Sequence, residues 1–431
     1  MLTKVLSIFI ILLFPIQHLY NQYVFNNMYD YANWIDGGAV ICQDDEGVFY
    51  EGGRAFPLDL NAPDYGGTYD STFIYKIDSK GKLIDIFQYS FYDGTGEYSE
   101  GLIAKGDTLV LAITGGNNAS GDNLKFAFIS KNDGTLLDTI SIPSTSANYS
   151  TRDFIRARDG GFLGCGWKGE PNSNVMKTIV YKLAESGELE WMREFKHPDF
   201  ERQQGEAIIE NIDGSILVCG PLNLDALNQS IIWSVIKINN FGDSLSQREY
   251  LDFADYGGPN KISLIDENNY LVCGSQLGYG KILEIDSNLA IIDEFTYNQN
   301  IAKFSIKIIF RVNENYYSPL SLNIALSWND PFQSRMGLAK FDSDFNMLWY
   351  KVYSGMEDQD DQYYYDAVQT SDGGIAMCGF IITGTEEVNN MWLVKVDSLG
   401  NDTLPLSNIL PDHLYLSAGE DTTLTALTFG G

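Results

Sequence analysis

Hydrophobic residues recur along this chain in short runs that polar turn residues separate, and one such run returns at a regular spacing. It consists of a turn, an apolar strand and a cysteine, and it occurs at 36–42, 159–166, 213–220, 268–274 and 372–379. All five cysteines take this position, and the intervals from Cys165 to Cys219 and from Cys219 to Cys273 are both 54 residues. This regularity predicts a repeat protein with units of that length.

Two further units are expected in the gaps on either side. The gaps from Cys42 to Cys165 and from Cys273 to Cys378 span 123 and 105 residues, about two periods each. The first contains 106–116, with Ala112 near the cysteine position, and the second contains the degenerate segment 314–322. A second motif, an apolar strand followed by an Asp or Asn turn, also gives seven copies, at 73–81, 126–134, 179–187, 234–242, 281–289, 337–345 and 392–400.

Each unit reads as four short strands. In the last unit, a turn at 371–374 joins the first two strands, and a turn at 398–401 leads from the third to a fourth. β-Branched and aromatic residues alternate with polar ones, and no segment shows a sustained helical period. Four antiparallel strands repeated seven times predict an all-β fold, a seven-bladed β-propeller of four-stranded blades, whose faces are buried by stacking. Six or eight blades stay open as alternatives.

The chain divides into three parts on this pattern. Residues 1–21 are predicted to be an export signal, because Lys4 precedes an apolar run that is too short to span a bilayer. The propeller is expected over 22–410, with approximate blades at 22–92, 93–144, 145–197, 198–251, 252–298, 299–354 and 355–410. Residues 411–431 fall outside the period and are interpreted as a tail or the start of a further domain.

The charge balance of the chain limits the classes of partner that it can bind. The chain has 28 basic and 58 acidic residues, a net charge of −30, so it repels phosphate backbones and anionic membrane surfaces. Nucleic-acid binding is therefore not expected, and no transmembrane candidate follows the signal. The acids are scattered singly near turns, which favours a well-solvated surface over a cation-binding role.

The repeat also resembles a known group of proteins. The glycine-rich turns at 159–166 and 372–379, the segment WLVKVDSLGN at 392–401 and the strand LWYKVYSG at 348–355 resemble secreted propeller proteins of the Bacteroidota. The resemblance implies a secreted or outer-surface location, often through type IX secretion. Such proteins usually carry a C-terminal sorting domain, which this sequence does not show. The family pattern consists of turn and core residues, so it supplies no catalytic residue.

The cysteines and histidines do not predict a catalytic or zinc site. Each cysteine stands alone in its unit, and Ala112 in the same position indicates a small buried side chain. Disulfides between equivalent positions of neighbouring units are not expected, because the positions are too far apart. His197 and His413 are expected to be exposed, and no nucleophile motif accompanies them.

Two local features are weak candidates for a site. Asp358, Asp360 and Asp361 precede three tyrosines and could hold Ca²⁺ or meet a sugar, but an acidic loop that opens the first strand of the last unit is the favoured interpretation. Trp167, just after Cys165 and Gly166, is the aromatic residue to test for ligand contact. The recurring aspartates Asp36, Asp159, Asp213 and Asp372 are predicted to bond to their own turns.

The leading hypothesis from the sequence is a monomeric, secreted, non-enzymatic propeller that binds or scaffolds a protein or glycan, with no cofactor. The first alternative is an extracellular carbohydrate-active enzyme with channel carboxylates, which a convergent set of acids from different blades would favour. The second is a stalk or adhesin segment of a longer surface protein. The sequence names no catalytic residue for any of the three.

Overall fold

The computed structural model of the protein describes residues 22–29, 35–56, 71–92, 97–115, 123–142, 147–170, 173–223, 231–255, 257–297, 302–324, 333–353, 361–383 and 388–402. These residues form strands and turns, and no helix occurs among them. Accordingly, no helix in the described ranges is long and apolar enough to cross a membrane.

The strands in chain order are β1 (Phe25–Tyr29), β2 (Ile35–Gln43), β3 (Phe49–Phe56), β4 (Ser71–Ile77), β5 (Leu83–Tyr89), β6 (Glu97–Lys105), β7 (Thr108–Gly115), β8 (Asn123–Ser130), β9 (Leu136–Ile142), β10 (Asn148–Arg156), β11 (Phe162–Gly169), β12 (Met176–Leu183), β13 (Leu189–Phe195), β14 (Arg202–Gln203), β15 (Ala207–Glu210), β16 (Ile216–Asn223), β17 (Ile231–Ile238), β18 (Ser244–Asp255), β19 (Pro259–Leu264), β20 (Asn269–Gln276), β21 (Tyr279–Asp286), β22 (Ile291–Tyr297), β23 (Ala302–Ile306), β24 (Phe310–Val312), β25 (Asn315–Ile324), β26 (Gln333–Phe341), β27 (Met347–Tyr353), β28 (Asp361–Gln369), β29 (Ile375–Thr383) and β30 (Val388–Val396).

Neighbouring strands pair antiparallel in successive groups. Group 1 is β2–β5, group 2 is β6–β9, group 3 is β10–β13, group 4 is β15–β18, group 5 is β19–β22, group 6 is β23–β27, and group 7 is β28–β30 together with β1. The short strand β14 pairs with both β12 and β16, so groups 3 and 4 form one nine-stranded sheet. The count of seven blades depends on dividing this nine-stranded sheet into two at β14. The number of blades therefore stays a prediction.

The N-terminal strand completes the last group. Strand β1 pairs antiparallel with β30 over its whole length, from Phe25 opposite Lys395 to Tyr29 opposite Met391. The Trp392 indole Nε1 donates a hydrogen bond to Asn26 Oδ1 at 2.6 Å. The expectation that the fourth strand of this unit follows the turn at 398–401 is therefore wrong, as is the placement of 25–29 in the first unit. Strand β1 occupies the free edge of β30 and joins the two ends of the repeat.

The hydrophobic core lies between groups. Seven of the eight clusters formed by described residues each combine side chains from two successive groups, and one of the seven joins group 7 to group 1. The innermost strands β28 and β2 are in contact at the same junction. Since each strand group buries both faces against its neighbours, the groups form a closed ring.

The first copy of the cysteine motif lies one strand earlier in its group than the other copies, contrary to the prediction. Cys165, Cys219, Cys273 and Cys378 lie on the second strand of their groups, whereas Cys42 lies on the innermost strand β2. In group 1 the residue at the cysteine position is Gly52, since it pairs with Ile74 as Cys378 pairs with Leu393. A turn at 44–47 precedes it, with a positive φ of 83° at Gly47, matching Gly160 at 93°. Ala112 does occupy the cysteine position of group 2.

Candidate functional site

Every innermost strand carries one extra residue at the same place. In five groups the ladder between the first and second strands skips a residue, and the skipped residues are Ala39, Glu100, Arg152, Asn260 and Tyr365. In groups 4 and 6 the inner strand also has one more residue than its partner between paired positions. There Glu206 and Lys307 donate their backbone N–H groups to the carbonyls of Cys219 and Pro319. Such bulges redirect side chains out of the ladder.

These seven bulge residues all line one cavity. The cavity has a volume of about 670 Å³ and is bordered by the innermost strands of all seven groups, which places it in the central channel of the ring. Its size lies within the range of small-molecule sites. Although the whole chain carries a net charge of −30, the cavity is lined by four bases and four acids, which are Arg54, Arg152, Lys261, Lys307, Glu100, Asp153, Glu206 and Asp366.

Two of the acids hold neighbouring groups together. Asp153 Oδ2 accepts a hydrogen bond from the Ile208 backbone N–H at 2.9 Å, and Asp366 Oδ2 accepts one from Ile41 at 3.1 Å. Both aspartates follow the bulge residue and bond to the next group at the equivalent strand position. Burial raises the pKa of Asp366, against the effect of Lys261 and of these backbone bonds. These carboxyls are part of the ring framework.

Lys261 links groups across the channel. Its Nζ lies 2.6 Å from Asp153 Oδ1, and this pair joins group 5 to group 3. Burial lowers the pKa of Lys261, but the carboxylates of Asp153 and Asp366 outweigh that effect, so the pKa lies above its ordinary value. The amine is therefore charged at neutral pH.

Four other charges follow one another along the cavity wall with alternating sign. They are Glu100, Arg152, Glu206 and Lys307, from groups 2, 3, 4 and 6. Burial raises the pKa of Glu100 to about 7, opposed by Arg152 and assisted by Glu206. Burial also raises the pKa of Glu206, which Arg152 and Lys307 oppose. Burial lowers the pKa of Lys307, against the effect of Glu206.

Aromatic side chains form another part of the cavity wall. Tyr98 and Tyr365 line it with 48% and 54% of their surface exposed. The Arg54 guanidinium lies 4.8 Å from the Tyr98 ring centroid, and Tyr365 packs on Phe380 at 5.7 Å. An exposed, supported tyrosine beside an arginine presents a flat face to a ligand.

A buried carboxyl lies behind the cavity wall. Glu51 is fully buried, and neither of its oxygens has a hydrogen-bond partner among the described residues. Burial raises its pKa well above the ordinary value, which favours the neutral form of the carboxyl. Gly38 separates it from the cavity, and a Cβ there would lie 2.0 Å from Glu51 Oε1 and 2.9 Å from the Gly379 carbonyl oxygen. Only glycine fits at position 38.

The site residues suggested by the sequence lie elsewhere. Asp361 is the first residue of β28, while Asp358 and Asp360 are outside the described residues. Trp167 is half-buried on β11, opposite Ser150 and Thr178, and does not border the cavity. Within the described ranges, no three His, Cys, Asp or Glu residues are grouped so that they could hold a metal ion.

The structure confirms some of the expectations for the cysteines, the turn aspartates and the histidines and contradicts others. All five cysteines are buried and unpaired. The carboxylates of Asp159, Asp213 and Asp372 accept hydrogen bonds from their own turns, as predicted. The prediction is wrong for Asp36, which lies on β2; Asp44 caps the equivalent turn of group 1.

The prediction that His197 is exposed is wrong. Its ring packs on Phe200 at 4.7 Å, and its Nε2 lies 3.2 Å from Glu249. His413 lies outside the described residues.

The repeat motifs do not reveal the bulge residues, although the sequence contains a signal for them. Arg152, Glu206, Asn260 and Tyr365 each precede a cysteine by 13 residues, at Cys165, Cys219, Cys273 and Cys378. A fixed number of residues before the repeated cysteine therefore identifies the position whose side chain lines the channel. The residue types at that position differ from group to group, so a search for recurring residues does not detect it.

Comparison with known proteins identifies the fold. No family model and no curated protein matches the chain. Among solved structures, a catalytically inactive virginiamycin B lyase from Staphylococcus aureus with quinupristin is 14% identical, with a TM-score of 0.50 over 86% of this chain and 98% of that one. A subtype N10 neuraminidase-like protein of A/little yellow-shouldered bat/Guatemala is 10% identical, with a TM-score of 0.42 over 87% and 94%. Prolyl oligopeptidase B from Galerina marginata is 12% identical, with a TM-score of 0.42 over 81% and 47%.

The virginiamycin B lyase is a β-propeller, and this likeness, together with the four-stranded antiparallel groups, confirms the predicted all-β propeller fold. Propellers serve both as enzymes and as binding proteins, so the likeness defines the class of fold and no activity.

Proposed function

We propose that the protein is a secreted or surface-located seven-bladed propeller that binds a glycan in its central cavity. The observation that carries this proposal is the convergence of seven bulge residues, one from each strand group, on one cavity. Bulges at equivalent positions of a repeat aim varied side chains at one place, which is how a repeated framework builds an asymmetric site.

The chemistry of the cavity favours a glycan over a protein partner. Its volume of about 670 Å³ accommodates a few sugar rings, whereas a stable protein interface requires roughly 800 Å² from each partner. The half-exposed rings of Tyr98 and Tyr365 suit the apolar face of a sugar. Arg152, Lys307, Glu100 and Glu206 provide donors and acceptors for hydroxyl groups around it.

The location belongs to the same proposal. The apolar run before residue 21 and the resemblance to secreted Bacteroidota propellers, including those of type IX secretion, support export. Appearance of the protein in the culture medium or on the outer cell surface, detected by immunoblotting of fractions from its native host, would test this. Recovery from the cytoplasm alone would contradict it.

The binding experiment uses purified protein immobilised on beads. It is exposed to laminarin, xylan, mannan, pectin and hyaluronan, and retained material is identified by mass spectrometry. The proposal expects retention of at least one polysaccharide, and loss of that retention in a variant carrying both Arg152→Met and Lys307→Met. Retention that survives in the double variant would place the ligand elsewhere. The beads are also exposed to glycoproteins from which the glycans have been removed, and retention of these would favour a protein ligand.

A further inference from the structure

Glu100 and Glu206 differ from the other two acids of the cavity. Asp153 and Asp366 are held by backbone N–H groups of neighbouring strand groups. Glu100 and Glu206 have no side-chain hydrogen bond or ion pair within the part of the chain that the structure describes. They project from equivalent bulges of groups 2 and 4, and Arg152 projects from the group between them. Two partly buried carboxyls are thus available to a ligand from two sides.

The surroundings distinguish the two carboxyls. Burial raises the pKa of Glu206, and Arg152 and Lys307 both oppose this rise and favour the ionised form. Glu100 is favoured in its ionised form by Arg152 alone, and the neighbouring Glu206 opposes it, so its pKa of about 7 leaves it largely protonated in mildly acidic solution. Two carboxyls that face one site and differ in how strongly their surroundings favour ionisation suit general acid and base catalysis.

We propose that the cavity hydrolyses a glycosidic bond of the bound glycan, with Glu100 as the general acid and Glu206 as the general base. This inference rests on the proposed function, because the sugar stacked beside Tyr98 or Tyr365 is the substrate. The substrate class is an oligosaccharide or polysaccharide whose glycosidic oxygen reaches the carboxyl of Glu100.

The reaction needs water as its only co-reactant. Glu100 donates its proton to the glycosidic oxygen as the bond from that oxygen to the anomeric carbon breaks, and the electron pair of the bond passes to the oxygen. A water molecule forms a new bond to the anomeric carbon, and the Glu206 carboxylate accepts the proton that this water loses. Proton exchange with solvent then restores both groups, and no redox change occurs.

Arg152 has a positioning role in this scheme. Its charge lies near both carboxyls and opposes the effect of burial on each. Without it, the pKa of both carboxyls rises further, which disfavours the ionised form that the general base needs.

The test uses the polysaccharides named above in water enriched in oxygen-18. We expect the wild-type protein to release shorter chains that carry one heavy oxygen at each new reducing end. Glu100→Gln and Glu206→Gln should each lower the rate by about 100-fold or more, with retention of the polysaccharide changed less than threefold. Glu188→Gln, the same change at an exposed turn of group 3, should leave the rate unchanged.

Three results would overturn the inference. Retention by the wild-type protein without any product would remove the hydrolysis and leave the binding function intact. Products formed equally fast by both amide variants would assign the chemistry to other residues. Failure of the wild-type protein to retain any of the polysaccharides would contradict the proposed function and the hydrolysis together.

Discussion

The Lys261 amine lies 2.6 Å from the Asp153 carboxylate, and this pair crosses the channel between strand groups 5 and 3. Asp153 also holds the backbone of Ile208 in group 4, so one carboxylate connects three groups. Asp366 plays the same part at the ring closure, where it holds Ile41. The channel is therefore both the place where the ring is held together and the place where a ligand is expected.

Removing the charge of Lys261 should destabilise the ring. Lys261→Met leaves Asp153 buried without its counter-charge, which costs about 3 kcal/mol in the free energy of unfolding. Urea denaturation followed by fluorescence measures this. Lys196→Met, at an exposed site, serves as the control and should change stability by less than about 0.5 kcal/mol. Equal effects of the two changes would show that the cross-channel pair contributes little.

The N-terminal strand should stabilise the whole ring. Phe25 of β1 is buried against Phe49, and their ring centroids are 6.0 Å apart. Phe25→Ala should lower the free energy of unfolding by about 3–4 kcal/mol, because it opens a cavity between groups 7 and 1. Phe241→Ala, at an exposed turn, should have little effect. A melting temperature of the Phe25 variant equal to that of wild type would contradict closure by β1.

The neutral Glu51 should make stability depend on pH. Its folded pKa is raised above its unfolded value, so its contribution to stability is present below pH 4.5 and is lost as pH rises. Glu51→Met should therefore stabilise the protein at pH 7, by about 1–3 kcal/mol, and by less near pH 4, where only the burial of an unpaired neutral carboxyl is relieved. Denaturation of both proteins at the two pH values checks this. A gain at pH 4 as large as that at pH 7 would be inconsistent with a neutral buried acid.

Hydrolysis should fall as the pH rises through about 7. Glu100 must be protonated to act as the general acid, and burial raises its pKa to about that value. Initial rates of product release between pH 5 and 9 should therefore decline on the alkaline side. The Glu188→Gln control should show the same profile. A rate that increases steadily above pH 7 would argue against Glu100 as the acid.

The exposed tyrosine at the bulge of group 7 should contribute to glycan affinity. Tyr365→Ala removes the ring that packs on Phe380 and should weaken binding about tenfold by calorimetry. Tyr365→Phe keeps the ring and should bind within about threefold of wild type. Identical affinities for wild type and Tyr365→Ala would exclude this face from the site.

Much of the fold could be predicted from the sequence, because core residues recur wherever the framework recurs. Cys165, Cys219, Cys273 and Cys378 share one buried position and gave the repeat length directly. Cys42 misled the alignment of the first unit, since the innermost strand there also consists of glycines followed by apolar residues. The pairing of β1 with β30 could not be predicted, because pairing between two distant segments of a chain leaves no local pattern in the sequence.

The site could not be predicted in the same way. A bulge is defined by counting residues on two paired strands, and the side chain it redirects is not constrained by the core. The residues at this one repeat position are therefore not conserved in charge: groups 2 and 4 have Glu100 and Glu206, whereas groups 3 and 6 have Arg152 and Lys307. The acidic cluster that ends at Asp361 stands out by its composition and Trp167 by its place after the cysteine motif, but neither has a described side chain in the cavity.

Blocking the cavity tests the central claim most directly. Ala39 is the bulge residue of group 1 and lines the cavity, so Ala39→Trp should fill part of it without removing any charge. Ser186→Trp adds the same side chain to an exposed turn and serves as the control. For the polysaccharide that wild type retains, the account predicts at least tenfold weaker binding by Ala39→Trp at an unchanged melting temperature, and no change for the control. Full affinity in a folded Ala39→Trp variant would show that the ligand does not bind in the channel.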